Sequence, residues 1–144
     1  MPQNNNLKTN TEELSDVDPI WDNIRAEAKD ASSKDPMTSS FMYSLILGQK
    51  SLENVLSLHL SKLLETISLE DRLIKELFDE FYSIDSQIKQ VIRADISAVY
   101  DRDPACHRYL EPVIYFKGFQ ALQTHRLANW LWTNNRNEFA YYLQ

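Results

Sequence analysis

Residues 51–81 read SLENVLSLHLSKLLETISLEDRLIKELFDEF, and their apolar side chains recur every three or four positions. This spacing is typical of amphipathic helices whose apolar stripes face a common core. Ser51 is predicted to cap a first helix in this stretch. Ser68 is predicted to open a second with a Ser-x-x-Asp variant of the capping box. The stretch therefore predicts an all-α fold of short helices with marked starts.

Similar start signals lie on both sides of that stretch. Asp18-Pro19 and Asp35-Pro36 each place an N-cap aspartate before a proline at the first helical position. Gly48 is expected to end the second helix, because glycine is common just after a helical C-terminus. Asp85 is expected to cap a fifth helix, whose apolar positions are Ile88, Val91, Ile92, Ile96 and Val99.

Further along the chain, a longer helix is predicted from about Pro112 through Trp132, followed by a last turn or two over residues 137–144. Gly118 would lie inside that helix, where glycine costs about 1 kcal/mol relative to alanine. We therefore expect another helix to approach it closely. The predicted fold class is an all-α, multi-helix orthogonal bundle of short capped helices with a longer C-terminal helix. Residues 1–16 are polar and are expected to form a flexible tail before a domain over 17–144.

Composition argues against several classes of protein. The net charge of −6 and the lack of a dense basic cluster disfavour a nucleic-acid binder and attraction to an anionic membrane. Cys106 is the single cysteine, which excludes an internal disulfide framework and a cysteine-rich zinc site. The sequence has neither a signal peptide pattern nor an apolar run long enough to span a bilayer, so we expect a cytoplasmic location.

The densest group of polar side chains is the segment DRDPACH at residues 101–107. Carboxylates on a loop could bind an ammonium group or steer a proton. The alternative is that Asp103 only caps a helix whose first residue is Pro104, since Asp-Pro is a common helix opener. His107 is interpreted as a surface histidine and Cys106 as a small buried filler. No histidine has a second histidine at i+4 and no glycine-rich phosphate loop occurs, so neither a metal nor a nucleotide site is predicted.

Four stretches in succession resemble the serine acetyltransferases of bacteria and plants. They are WDNIRAEA at 21–28, DPMTSSF at 35–41, DISAVYDRDPA at 95–105 and YFKGFQALQTHR at 115–126. The resemblance runs in order from about residue 18 to residue 144. Each short motif is weak alone, whereas the ordered series is specific.

The resemblance implies an enzyme that transfers the acetyl group of acetyl-CoA to the hydroxyl of L-serine, giving O-acetylserine for cysteine synthesis. It implies an N-terminal helical domain followed by a left-handed β-helix, which supplies a general-base histidine and most acetyl-CoA contacts. Helical domains would join two trimers into a hexamer. L-cysteine would inhibit by occupying the serine site, and a C-terminal tail would bind O-acetylserine sulfhydrylase.

One site residue is implied by the resemblance within these 144 residues. Asp103, in the Arg-Asp-Pro-Ala motif, matches the family aspartate that holds the amino group of serine. The catalytic base and the CoA-binding residues of the family have no counterpart here, so no catalytic or cofactor-binding residue is predicted, and the chain is expected to be an inactive part of a longer protein. The alternative is an independent helical adaptor, whose apolar end at Tyr141, Tyr142 and Leu143 would bind a partner.

Overall fold

A computed structural model describes residues 17–84 and 86–144. Within these residues the chain forms helices and no strand, which confirms the all-α prediction. The predicted tail over 1–16 and the predicted cap at Asp85 lie outside the described residues. The helices are α1 (Pro19–Ser32), α2 (Pro36–Met42), α3 (Leu52–Leu64), α4 (Asp71–Ile84), α5 (Ser86–Arg102), α6 (Leu110–Ile114), α7 (Lys117–Thr133) and α8 (Asn137–Tyr142), and a π-helical segment over Tyr43–Leu47 continues α2.

Side-chain caps begin the first three α-helices, as the sequence predicts. Asp18 accepts a hydrogen bond from the backbone N–H of Trp21 at 3.2 Å. Asp35 and Ser51 make the equivalent bonds, at 2.8 and 3.2 Å, to the N–H groups three residues later. Each cap satisfies a donor that the helix itself leaves unpaired and contributes about 1 kcal/mol.

The predicted capping box at Ser68 is wrong, because α4 begins at Asp71. Thr66 and Leu69 instead exchange two backbone hydrogen bonds, of 3.1 and 3.3 Å, across a tight turn. That turn holds Ser68 outside the helix. The local pattern identified the helix but placed its start too early.

The predicted long helix from Pro112 through Trp132 is also wrong, since Tyr115 and Phe116 separate α6 from α7. Phe116 has extended backbone angles, with φ −91° and ψ 107°. The side-chain amide of the buried Gln120 donates to the carbonyls of Val113 and Ile114 at 3.3 and 2.9 Å. These bonds replace those that a continuous helix would give the last carbonyls of α6, so the break leaves them satisfied.

A single apolar core holds the helices together. α3 packs against α4, α1 against α2, α7 against α8, and α5 contacts α4, α6 and α7. Burial of one large aliphatic or aromatic side chain contributes about 1.5–3 kcal/mol. The largest fully buried side chains are Phe78, Ile24, Met42, Ile46, Leu52, Leu56, Leu60, Ile74, Ile92, Ile96, Leu110 and Leu127.

An ion cluster joins three helices at one edge of this core. The Arg93 guanidinium on α5 donates to Asp18, the cap of α1, at 2.6 Å, and to Glu53 on α3. The Arg93 and Glu53 side chains are only 21% and 10% exposed. Burial alone would lower the pKa of Arg93, but hydrogen bonds and charge from Asp18 and Glu53 raise it above its usual value. The cation therefore stays charged between two carboxylates.

The two glycines occupy opposite surroundings. At Gly48, an added Cβ would lie 2.9 Å from the carbonyl oxygen of Tyr43. The same oxygen accepts a π-helical hydrogen bond from Gly48 N–H at 2.8 Å. Gly118 is the second residue of α7 and not a helix-interior glycine. Apart from its chain neighbours and the backbone of its own helix, a Cβ there would meet no heavy atom within 4 Å. The expected close helix approach at Gly118 is therefore wrong, whereas the predicted helical end at Gly48 is confirmed.

Alanine substitutions at the two glycines are expected to change stability in opposite directions. Gly48→Ala should lower the free energy of unfolding by about 1–3 kcal/mol, because a backbone carbonyl would have to move. Gly118→Ala should raise it by about 0.4–1 kcal/mol, because alanine fits and restricts the unfolded chain. Thermal and urea unfolding of the two variants measure both values. Changes of the same sign would contradict this account of the two positions.

Candidate functional site

Asp103 lies in a turn that follows α5. Its carbonyl accepts from Cys106 N–H at 3.0 Å, and its carboxylate oxygen Oδ1 accepts from Ala105 N–H at 2.9 Å. No helix starts at Pro104, so the predicted role of Asp103 as a helix cap is wrong, because the carboxylate closes this turn instead. Within the described residues no hydrogen bond reaches Oδ2, and the residue is exposed.

Two glutamates hold the backbone immediately after this turn. Glu111 accepts from the N–H groups of His107 and Arg108 at 2.7 and 3.3 Å. Glu27, on α1, accepts from the N–H groups of Tyr109 and Leu110 at 3.1 and 2.9 Å. Four consecutive backbone donors are thus bound by two carboxylates. We call residues 103–110, with these bonds, the Asp103 loop.

The Glu111 carboxylate is ionised in this arrangement. Its side chain is 14% exposed, and burial alone would raise its pKa. The hydrogen bonds from His107 and Arg108, together with the Arg108 charge, outweigh burial and lower the pKa of Glu111 below its usual value. Charge-assisted bonds of this kind are about twice as strong as neutral ones, so the loop is firmly held.

Cys106 and His107 do not form a catalytic pair. Cys106 is 7% exposed, its thiol donates to the Arg108 carbonyl at 3.4 Å, and burial raises the pKa of that thiol. Such a thiol is a poor nucleophile. His107 is exposed and contributes to the loop through its backbone N–H. The interpretations of Cys106 as a buried filler and His107 as a surface histidine are confirmed.

An open groove of about 540 Å³ adjoins Asp103, between the end of α5 and the start of α7. Its lining is mostly apolar, and its polar side chains are Asp95, Arg102 and Asp103. An exposed carboxylate beside an apolar groove is suited to bind the ammonium of a small amine or amino acid. The residues lining the groove are Asp95, Ala98, Val99, Arg102, Asp103, Pro104, Gly118, Phe119 and Leu122.

Asp95 differs from Asp103 because its carboxylate is already engaged. Its oxygens accept from the Gln123 amide at 2.8 Å and from two Arg126 nitrogens at 3.0 and 3.1 Å. The Asp95 side chain is 17% exposed. This cluster fixes α5 against α7 and leaves Asp103 as the carboxylate that can meet a ligand in the groove.

A larger groove, of about 620 Å³, lies between α3 and α7. Leucines of α3 line one side, and Lys117 and His125 are among the side chains of the other. No Asp or Glu side chain lines it, so it offers no carboxylate side chain to pair with an ammonium group. The two grooves share no lining residue.

Other kinds of site have little support in the part of the chain that the structure describes. There, no group of three or more His, Cys, Asp or Glu side chains is arranged to bind a metal ion. His59 lies 3.2 Å from the Ile114 carbonyl, at the break between α6 and α7, and burial lowers its pKa. His59 therefore has a structural role at this break. Over residues 17–84 and 86–144, no helix has the length and apolar character needed to cross a bilayer.

Sequence reasoning singled out Asp103 as a candidate and did not identify the two glutamates that hold its loop. Glu27 is part of the quoted stretch at 21–28, yet its partners lie 82 and 83 positions away. No local spacing links positions so far apart. For Glu111 a signal existed, because a glutamate three or four residues after unpaired backbone donors is the arrangement of a capping box.

Comparison with known proteins gives consistent matches. The family model described as "Serine acetyltransferase, N-terminal" matches residues 20–124. The serine acetyltransferase of Escherichia coli K12 is 37% identical over 125 residues, covering 87% of this chain and 46% of that protein. The chain therefore spans about half the length of this curated relative.

Solved structures give the same result. The serine acetyltransferase of Brucella abortus S19 in complex with coenzyme A has a TM-score of 0.87 and 45% identity, covering 90% of this chain and 52% of that one. That of Neisseria gonorrhoeae in complex with serine has a TM-score of 0.84 and 38% identity, covering 90% and 54%.

Proposed function

This chain belongs to the serine acetyltransferase family, and on that premise we propose that it is the N-terminal helical domain of an enzyme that acetylates L-serine. The acetyl group of acetyl-CoA would pass to the serine hydroxyl, giving O-acetylserine and free CoA. The observation that carries the proposal is the Asp103 loop, which presents one unengaged carboxylate oxygen beside a groove. Relatives solved with coenzyme A and with serine support the choice of substrates.

In this proposal Asp103 binds the α-ammonium of serine. An ammonium has three N–H donors and no acceptor, so a carboxylate is its natural partner. A hydrogen bond between charged groups contributes about 1.5–3 kcal/mol. Because Oδ1 is held by Ala105 N–H at 2.9 Å, Oδ2 keeps a fixed direction toward the substrate.

The remaining chemistry is assigned to residues outside these 144. A general-base histidine must remove the proton of the serine hydroxyl, and a separate surface must hold acetyl-CoA. Within the described ranges His107 and His125 are exposed, and neither lines the groove beside Asp103. The proposal keeps the predicted division into a tail over 1–16 and a domain over 17–144, with a β-helix completing the site.

The domain is further proposed to join copies of the enzyme, as a dimer of trimers in a cytoplasmic hexamer. Exposed large apolar side chains on α2 and the π-helical segment support this, since such patches are common at interfaces. They are Met37, Phe41 and Tyr43, at 83%, 43% and 65% exposure. L-cysteine is proposed as an inhibitor at the serine site, and O-acetylserine sulfhydrylase as a partner bound through a C-terminal tail. The adaptor alternative draws no support from the matches, which are to serine acetyltransferases.

A thiol-release assay tests the proposed function. The full-length protein is expected to release CoA from acetyl-CoA when L-serine is present, with L-alanine, which lacks the hydroxyl, as the matched control. The 144-residue chain alone is expected to stay at the background rate, because its general base is missing. Full-length protein without serine-dependent release would overturn the function, and turnover by the chain alone would overturn the assignment of the base.

A further inference from the structure

We propose that Glu27 is a positioning residue for the substrate amino group, because from α1 it holds the Asp103 loop in its binding conformation. The inference rests on the proposed function, since it concerns the same site. Glu27 does not line the groove beside Asp103. Its influence would pass through the backbone of the loop.

The contacts of Glu27 form a two-point clamp. One carboxylate oxygen accepts from Tyr109 N–H at 3.1 Å and the other from Leu110 N–H at 2.9 Å. Both oxygens thus bind adjacent donors of one backbone segment, and the side chain is half-buried. The two donors lie 82 and 83 positions after Glu27 in the sequence. The clamp therefore ties the loop to α1, near the other end of the chain.

A continuous series of hydrogen bonds leads from this clamp to Asp103. Glu111 binds the two N–H groups that precede those of Glu27, at His107 and Arg108. The next two donors toward the N-terminus, at Cys106 and Ala105, bind the carbonyl and the carboxylate of Asp103. Every backbone N–H from residue 105 to residue 110 is therefore engaged. Release of one end would loosen the turn at the other.

The loop has a second anchor, which makes the effect of Glu27 local. The ring of Tyr109 stacks on that of Tyr100 on α5, with centroids 4.2 Å apart. Leu110, at the start of α6, is fully buried in the core. Loss of the Glu27 clamp should therefore increase local opening of the loop while the rest of the domain stays folded.

Glu27→Gln in the full-length enzyme tests the inference. Glutamine has the same shape, but its NH2 group faces one backbone donor and its charge is gone. We expect the KM for L-serine to rise about 5- to 20-fold, with the KM for acetyl-CoA and kcat within about twofold of the parent enzyme. Hydrogen exchange at the amides of residues 107–110 should accelerate, while that of α3 and α4 stays unchanged.

Glu76→Gln provides the matched control. Glu76 pairs with Arg72 on the exposed face of α4, at 63% side-chain exposure, and removal of its charge should leave every kinetic constant unchanged. A double variant adds a readout that stability alone would not move. If Glu27 acts through Asp103, the double variant should have a serine KM less than twofold higher than that of the Asp103→Asn variant alone.

The outcomes separate this inference from the function beneath it. Should Asp103→Asn raise the serine KM while Glu27→Gln does not, the inference fails and the function stands. Should Asp103→Asn itself have no effect, the proposed binding role of Asp103 fails. Equal changes in both KM values, or faster exchange throughout the protein, would mean a purely structural role for Glu27 and would overturn the inference.

Discussion

Replacement of Asp103 by asparagine in the full-length enzyme is expected to raise the KM for L-serine about 10- to 100-fold and to leave the KM for acetyl-CoA within twofold. Asparagine keeps an oxygen that can accept from Ala105 N–H, so the turn should persist. The variant loses the charge that meets the substrate ammonium, which is worth about 1.5–3 kcal/mol, and each 1.4 kcal/mol is a factor of ten. Steady-state kinetics with each substrate varied in turn measures both constants.

Asp101→Asn is the control for charge alone. Asp101 is an exposed carboxylate at the end of α5, two residues before Asp103, and it does not line the groove. Its replacement makes the same change in net charge and should alter the serine KM less than twofold. An unchanged serine KM in the Asp103 variant, or an equal rise in both variants, would refute the role assigned to Asp103.

Arg93→Leu is expected to give the largest loss of stability, about 2–4 kcal/mol in the free energy of unfolding. Removal of the cation leaves the carboxylates of Asp18 and Glu53 near one another without the positive charge between them, and the Glu53 side chain is only 10% exposed. Breaking a buried ion pair from one side costs about 3–5 kcal/mol, and partial exposure of Asp18 reduces that cost. Urea unfolding followed by circular dichroism gives the value.

Arg72→Leu makes the same substitution on an exposed helix face. Arg72 pairs with Glu76 on α4, and both side chains are more than 60% exposed. Such a pair contributes about 0.3–0.5 kcal/mol, so the control should unfold almost as the parent does. Similar losses of unfolding free energy in the two leucine variants would show that the cluster around Arg93 stabilises the fold no more than an exposed ion pair does.

The parts of the fold that the sequence predicts well are those with short-range causes. Asp18, Asp35 and Ser51 bind N–H groups three residues later, so the signal and its partner fall in one short window. The apolar periodicity of α5 likewise needs no knowledge of other helices. The family resemblance quoted from residues 21–28, 35–41, 95–105 and 115–126 is confirmed by the family match. It could be recognised from the sequence because the order of motifs along the chain is visible without a structure.

Several of the parts that sequence reasoning missed depend on contacts between residues distant in the chain. At the break formed by Tyr115 and Phe116, the Gln120 side chain donates to the Ile114 carbonyl. His59 of α3, 55 positions from Ile114, lies against the same carbonyl. Ser68 fails as a cap because a local backbone turn takes its place. The family motif proposes Asp103 as a site residue, whereas the clamp by Glu27 is apparent only once α1 lies beside the loop.

Both oxygens of the Asp18 carboxylate are engaged, and by different helices. Oδ1 binds the first turn of α1 through Trp21 N–H, and Oδ2 binds the guanidinium of Arg93 on α5. A polypeptide that started at Pro19 would lack Asp18, and would therefore lose the cap of α1 and the ion pair between α1 and α5 together. The practical N-terminal border for isolating this domain is thus set by a single side chain.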